Sequence, residues 1–178
     1  MDERAPLLIV TGPPGAGKST VARLVAERFD PSVLVEGDAF FGFLRRGAIS
    51  PWLAGAHGQN EVVTQAAAAA AGRYAAGGLS TVYDGVVGPW FLPTFAAATG
   101  LDRLDYVILL PSVERCVERV AARTGHGFSD EAATRKMHAG FSAAEVDARH
   151  VMIDPPDGAE AVADQVMAAL AAGTLAVG

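Results

Sequence analysis

The stretch LLIVTGPPGAGKST, from Leu7 to Thr20, decides the fold. Leu7 to Val10 reads as a short apolar strand, a glycine-rich turn follows it, and helical spacing takes over from Ser19 to Phe29. Gly12, Pro13, Pro14, Gly15, Ala16, Gly17, Lys18 and Ser19 satisfy the pattern G-x-x-x-x-G-K-[ST] in that strand-to-helix context. Small residues let backbone N–H groups turn inward around phosphate oxygens, and the helix that follows presents its positive end. Lys18 would reach the β- and γ-phosphates and Ser19 would ligate a magnesium ion bound to them. Thr20 would tie down the helix start or contact an α-phosphate oxygen. The lysine and serine point to a phosphate chain with a divalent cation, not to a dinucleotide, and they do not choose between adenine and guanine.

Outward from this loop the chain alternates short apolar strands with helices. Strands are predicted at Val33 to Val35, Leu79 to Tyr83, Tyr106 to Leu110 and Val151 to Ile153. Helices are predicted at Glu61 to Ala76, Phe91 to Ala98, after Pro111 and Ser112 to about Thr124, and at Ala159 to Ala172. The alternation argues for an α/β fold with a mainly parallel sheet covered on both faces. Ligands of such sheets sit beyond the carboxyl ends of the strands, where Gly12, Asp38, Asp84, Pro111 and Asp154 would gather. Arg45 to Asn60 is the least regular region, either a substrate-facing excursion or a surface loop. Leu175 to Gly178 reads as a frayed apolar tail.

The bulk numbers bound the possibilities. A chain of 178 residues with 51% hydrophobic content suits one packed domain spanning 1–178, with no linker or repeat to divide it. The net charge of -6 and a pI near 5.1 disfavour a broad nucleic-acid face. Cys116 is the only cysteine, so neither an internal disulfide nor a cysteine-based zinc cluster can form. No uncharged run approaches membrane-spanning length, and a cytoplasmic protein, monomeric or homodimeric, is the expectation.

The next informative fragment is LVEGDAFFGFLRRG, Leu34 to Gly47. Asp38 follows a strand end and is a candidate to accept a proton from an alcohol, to orient it, or to hold magnesium; equally, it is a favoured cap for a helix starting near Ala39. Glu36 would share its face if both lie in extended chain. Arg45, two helical turns after Asp38, is a candidate substrate contact or a plain surface charge. Phe41 would join an apolar acceptor wall or the core. In VYDGVVGPWFLP, Val82 to Pro93, Asp84 would bind metal or acceptor, or stabilise a turn; Gly85 would allow close backbone approach, and Trp90 would border the acceptor or pack. Arg115, Arg119 and Arg123 form one helical stripe beside Glu114 and Glu118, open to both surface ion pairing and phosphate contact. A segment closing over 119–140 would bring Arg119, Arg123 or Arg135 to the transferred phosphate. His57, His126, His138 and His150 form no metal-binding constellation.

The Gly12–Ser19 loop followed by EGDAFFGFLRR resembles the small P-loop kinase and phosphotransferase group that includes adenylylsulfate kinase, gluconate kinase, shikimate kinase and chloramphenicol phosphotransferase, related to AAA-like P-loop ATPase domains. In outline the resemblance runs from Leu7 to Leu170. It implies a five-stranded parallel sheet in the order 2-3-1-4-5 with helices on both faces, a small lid, ATP and magnesium, and a small hydroxyl-bearing acceptor gripped by segment 39–60. Asp38 matches the carboxylate that contacts acceptor or metal in several members, and Arg119 and Arg123 match the helix-to-lid position. Pro155, after the fifth strand, falls where such kinases border the adenine, or in a turn without ligand contact. Adenylylsulfate kinases usually carry Asp where this chain has Glu36, and the glycine-rich acceptor motif of shikimate kinases is absent; both departures tell against those specific assignments.

The expected activity is transfer of the γ-phosphoryl group of ATP to a hydroxyl of a metabolite or antibiotic. A nucleotide kinase and an ATP-hydrolysing regulatory or nucleic-acid-associated protein are the alternatives.

Overall fold

The computed structural model describes residues 6–122 and 129–177. Five parallel strands form its centre: β1 (Leu7–Thr11), β2 (Ser32–Glu36), β3 (Ser80–Asp84), β4 (Leu104–Leu110) and β5 (Val151–Ile153), in the order β2-β3-β1-β4-β5. This is the predicted order. The helices between them are α1 (Lys18–Ala26), α2 (Gly37–Gly42), α3 (His57–Ala76), α4 (Leu92–Thr99), α5 (Val113–Ala122), α6 (Glu131–Ala143) and α7 (Ala159–Ala171).

Because side chains alternate across a strand, β1 divides its residues between two cores. Leu7 and Ile9 join Tyr83, Tyr106 and Ile108 in a layer with α3, α4 and Phe141 of α6. Leu8 and Val10 join Val82, Val107 and Leu109 against α1 and α7. The alanines of α3 serve close approach: Ala67, Ala68, Ala71 and Ala75 are buried, and a methyl at Gly72 would lie 2.1 Å from the Thr99 carbonyl oxygen of α4.

Three departures from the sequence reading have local causes. Helix α2 stops at Gly42, so Arg45 lies in irregular chain beyond it and the helical-turn argument that singled it out does not hold. Helix α3 begins at His57, four residues before the predicted Glu61, after a single turn of 3₁₀-helix at Ala54–Ala56. The preceding segment is clasped to it: Gln59 accepts from the Ile49 N–H at 2.8 Å and donates to the Ile49 carbonyl at 2.7 Å, and Asn60 donates to the Pro51 carbonyl. The apolar tail is not frayed through its described part. Leu175 is fully buried, and β6 (Ala176–Val177) pairs antiparallel with Leu104 and Asp105 of β4.

Candidate active site

The phosphate loop is wedged between β4 and α5. A Cβ on Gly12, at φ 145°, would stand 2.2 Å from the Leu109 carbonyl oxygen, and one on Gly15, at φ 80°, 2.3 Å from the Cys116 carbonyl oxygen. Only glycine satisfies both the backbone conformation and the space. The Ala16 N–H donates to the Pro13 carbonyl at 3.1 Å, and Lys18 Nζ donates to the same oxygen at 3.1 Å. Gly17, at φ 95°, precedes α1 without a side-chain cap, so the first N–H groups of α1 point into the loop. Ser19 and Thr20, on the first turn of α1, are exposed.

Register brings the carboxylates to this loop. Asp84 ends β3 opposite Val10 of β1 on one side and Glu36 of β2 on the other. The turn after it is pinned from both sides, since the Val87 N–H donates to Thr11 Oγ1 at 2.9 Å and Tyr106 Oη donates to the Val87 carbonyl at 2.8 Å. Asp84 is 8% exposed and its Oδ1 has no hydrogen-bond partner. Burial raises its pKa above the ordinary aspartate value; a hydrogen bond from Ser19 and the charge of Lys18 oppose the rise, and the charges of Asp38 and Glu36 add to it.

A buried carboxylate oxygen with an open lone pair, beside a serine hydroxyl at a phosphate loop, fits a magnesium ion, which takes oxygen ligands and shares them with nucleotide phosphates. Ser19 and Asp84 are the residues of this chain that would hold it.

Asp38 lies exposed in the first turn of α2, close enough to raise the pKa values of both Asp84 and Tyr83. Its reading as a cap for a helix starting near Ala39 does not hold. The helix begins one residue before Asp38, and the cap position belongs to Glu36, which makes no side-chain cap bond. Glu36 and Asp38 do not share an extended segment either, because the strand ends at Glu36. Gly85 is buried, Phe41 half-buried, and Trp90 half-exposed over Gly88 with its ring 5.2 Å from Phe141.

The arginines separate. Arg119 Nη1 donates to the loop carbonyls of Gly15 at 3.3 Å and Ala16 at 3.4 Å, which puts its charge over the phosphate loop. Arg135 is paired with Glu131 at 2.9 Å and reaches Glu114 of α5 at 3.8 Å. Arg115 pairs with Asp157, just before α7. Arg123 and His126 lie outside the described residues. Pro155 is buried after Asp154, whose N–H donates to the Leu110 carbonyl at 3.1 Å, so the chain leaving β5 is tied to the end of β4. His138 and His150 bond the backbone carbonyls of Pro111 and Tyr106, and His57 stacks on Phe91.

Sequence reasoning passed over Tyr83, Gly37 and Thr11. The tip of the Tyr83 ring reaches the backbone at Gly37 and Gly85, and Thr11 fixes the turn after Asp84. Glycine placed directly after a strand end, as at Gly37 and Gly85, was the available signal.

Comparison with known proteins agrees with this architecture. The family model for an AAA domain matches residues 7–144. Among solved structures, an unliganded sugar kinase from Janibacter sp. HTCC2649 superposes with a TM-score of 0.70 at 20% identity, covering 94% of this chain and 95% of its own. The tunicamycin resistance protein of Deinococcus radiodurans gives 0.69 at 18% identity, over 94% of this chain and 96% of that one. A chain of the Pnkp1/Rnl/Hen1 RNA repair complex gives 0.62 at 23% identity, over 80% of this chain and 45% of that one. No curated protein matches with significant similarity. The chain belongs to the AAA domain family, and its fold is that of the small P-loop kinases and phosphotransferases.

Proposed function

We propose that the protein transfers the γ-phosphoryl group of ATP to a hydroxyl of a small molecule, a metabolite or an antibiotic. The observation that carries this reading is the meeting of Asp84, buried with an open oxygen beside Ser19, with Asp38 on the turn after the neighbouring strand. A phosphate grip alone serves any nucleotide-binding protein; a second, exposed carboxylate one strand away supplies a place for an alcohol.

In this reading the loop N–H groups, Lys18 and the start of α1 hold the triphosphate. Magnesium, held by Ser19 and Asp84, would neutralise charge on the phosphate oxygens. Asp38 orients the acceptor hydroxyl and receives its proton as the new O–P bond forms and the bond to the β-phosphate oxygen breaks. An exposed carboxylate is a weak base, so its larger contribution is alignment. Arg119, drawn from the loop carbonyls to phosphate oxygens, stabilises charge during transfer, and Arg123 is a candidate for the same work. Phe41, Arg45, Gly85, Trp90 and Arg135 are proposed to border the acceptor, with Pro155 beside the base.

The likeness to the RNA repair chain favours a second reading, in which the hydroxyl belongs to a nucleic acid. The net charge of -6 and the three carboxylates at the strand ends weigh against it. The experiment is incubation with γ-labelled ATP and a panel of sugars, alcohol-bearing antibiotics, nucleoside monophosphates and a hydroxyl-ended oligonucleotide, with mass identification of labelled products. A labelled small alcohol is expected. Label found only in free phosphate would overturn the reading, and label on the oligonucleotide alone would select the second.

A further inference from the structure

The carboxylates of the site stand at the end of β3 and the start of α2, and one side chain touches the backbone beside both. Gly37 immediately precedes Asp38, and Gly85 immediately follows Asp84. A Cβ on Gly37 would lie 2.3 Å from Tyr83 Oη and 3.1 Å from the Asp84 carbonyl oxygen; a Cβ on Gly85 would lie 2.8 Å from Tyr83 Cε1 and 2.9 Å from Oη. The phenol tip therefore sits in the gap between the two backbones. Its base is fixed from below, where the ring meets Phe95 edge-on at a centroid distance of 4.7 Å. A phenol adds bulk and an O–H beside the two carboxylates without adding charge.

Tyr83 is buried in the layer of Leu7, Ile9 and Phe95, and the length of its side chain carries the hydroxyl end past that layer to the two glycines. We propose that Tyr83 is a positioning residue that sets the separation of Asp38 and Asp84, and with it the alignment of the magnesium side of the site with the acceptor side. The acceptor half of this proposal rests on the phosphotransferase reading; the magnesium half does not. Residues that orient ligating groups from behind typically contribute ~10–100-fold to metal affinity or activity.

The test uses the whole chain with Tyr83→Phe, which removes one oxygen, and Tyr83→Leu, which withdraws the tip from both glycines. Calorimetric titration with ADP, with and without magnesium, gives the gain in affinity that magnesium confers. We expect magnesium-free ADP affinity to be unchanged in both variants. The magnesium-dependent gain should fall about 3-fold in Tyr83→Phe and about 10-fold in Tyr83→Leu. Steady-state transfer should show kcat down about 10-fold in Tyr83→Phe with KM for ATP retained, and a larger share of label lost to water. If Tyr83→Leu loses its unfolding transition, Tyr83→Phe decides alone. A full magnesium-dependent gain in every folded variant, or no such gain in the wild type, would overturn the proposal. A wild type that shows the gain but yields no phosphorylated alcohol would end the phosphotransferase reading, while the affinity comparison would still decide the role of Tyr83.

Discussion

Two buried aspartates, one at each end of the sheet, are alike in isolation and different in company. Asp84 is 8% exposed and Asp105 7%, each has an Oδ1 without a hydrogen-bond partner, and burial raises the pKa of both. Asp84 closes β3 at the end where the phosphate loop, Ser19, Lys18 and Asp38 converge. Asp105 stands near the start of β4, paired in register with Leu8 and Ala176, with Arg103 and His150 as the charges that offset its burial. An unsatisfied buried carboxylate therefore does not mark a site by itself. What makes Asp84 a candidate is the hydroxyl, the cation and the second carboxylate that meet it beside the phosphate loop.

This contrast can be broken in four places. Lys18→Ala removes the fixed cation of the Asp84 end and should lower turnover of ATP by roughly 10³-fold; turnover within a few-fold of wild type would detach Lys18 from the phosphates. Asp38→Asn keeps the shape of the α2 turn and should reduce phosphoryl transfer by about 10²-fold while ADP affinity, read by calorimetry, moves little. Parallel losses in both would instead report damage to the fold. Asp84→Asn should weaken magnesium-dependent ADP binding by about 10-fold and, by removing a buried charge, raise the thermal midpoint. A falling midpoint would mean that the carboxylate serves stability and not the site.

Asp105→Asn sharpens the contrast from the other end. It should leave nucleotide turnover unchanged and stabilise the fold at neutral pH by about 1 kcal/mol. The sign follows from the raised pKa. The folded chain holds its proton to higher pH than the unfolded chain, so stability declines as pH rises from the ordinary aspartate value through the folded one and stays lower above it. In the asparagine variant that decline should flatten, which denaturant titrations across the acid range would measure. A loss of turnover would make the Asp105 end part of the functional machinery.

The parts legible in the sequence were those set by local pattern. The strand, loop and helix from Leu7 to Ala26 follow from apolar run, glycine spacing and helical periodicity, and the strand order came with the family resemblance that the loop and EGDAFFGFLRR carry. Asp38 and Asp84 were visible as polar residues just after apolar runs. That they gather beyond the strand ends was legible too; what holds them relative to each other was not, because it depends on the pairing of Glu36 with Asp84 and on a tyrosine ring that touches both Gly37 and Gly85. The clasp of Gln59 on Ile49 joins residues ten apart through side-chain amide geometry, which leaves no periodic trace. Strand β6 is two residues long, too short for alternation to register, and its place comes from Leu175 filling the core beside α7. Arg45 was misplaced on a helix because the count of two helical turns from Asp38 runs past Gly42, where α2 ends.

The contacts of Gly12 with the Leu109 carbonyl and of Gly15 with the Cys116 carbonyl extend the phosphate loop well beyond its own eight-residue pattern. Its outer walls are main-chain atoms supplied by residues about a hundred positions further along. A chimaera that imported only Gly12 to Ser19 would carry the signature without the mould that shapes it, whereas one that moved β1, β4 and α5 together would bring the mould along.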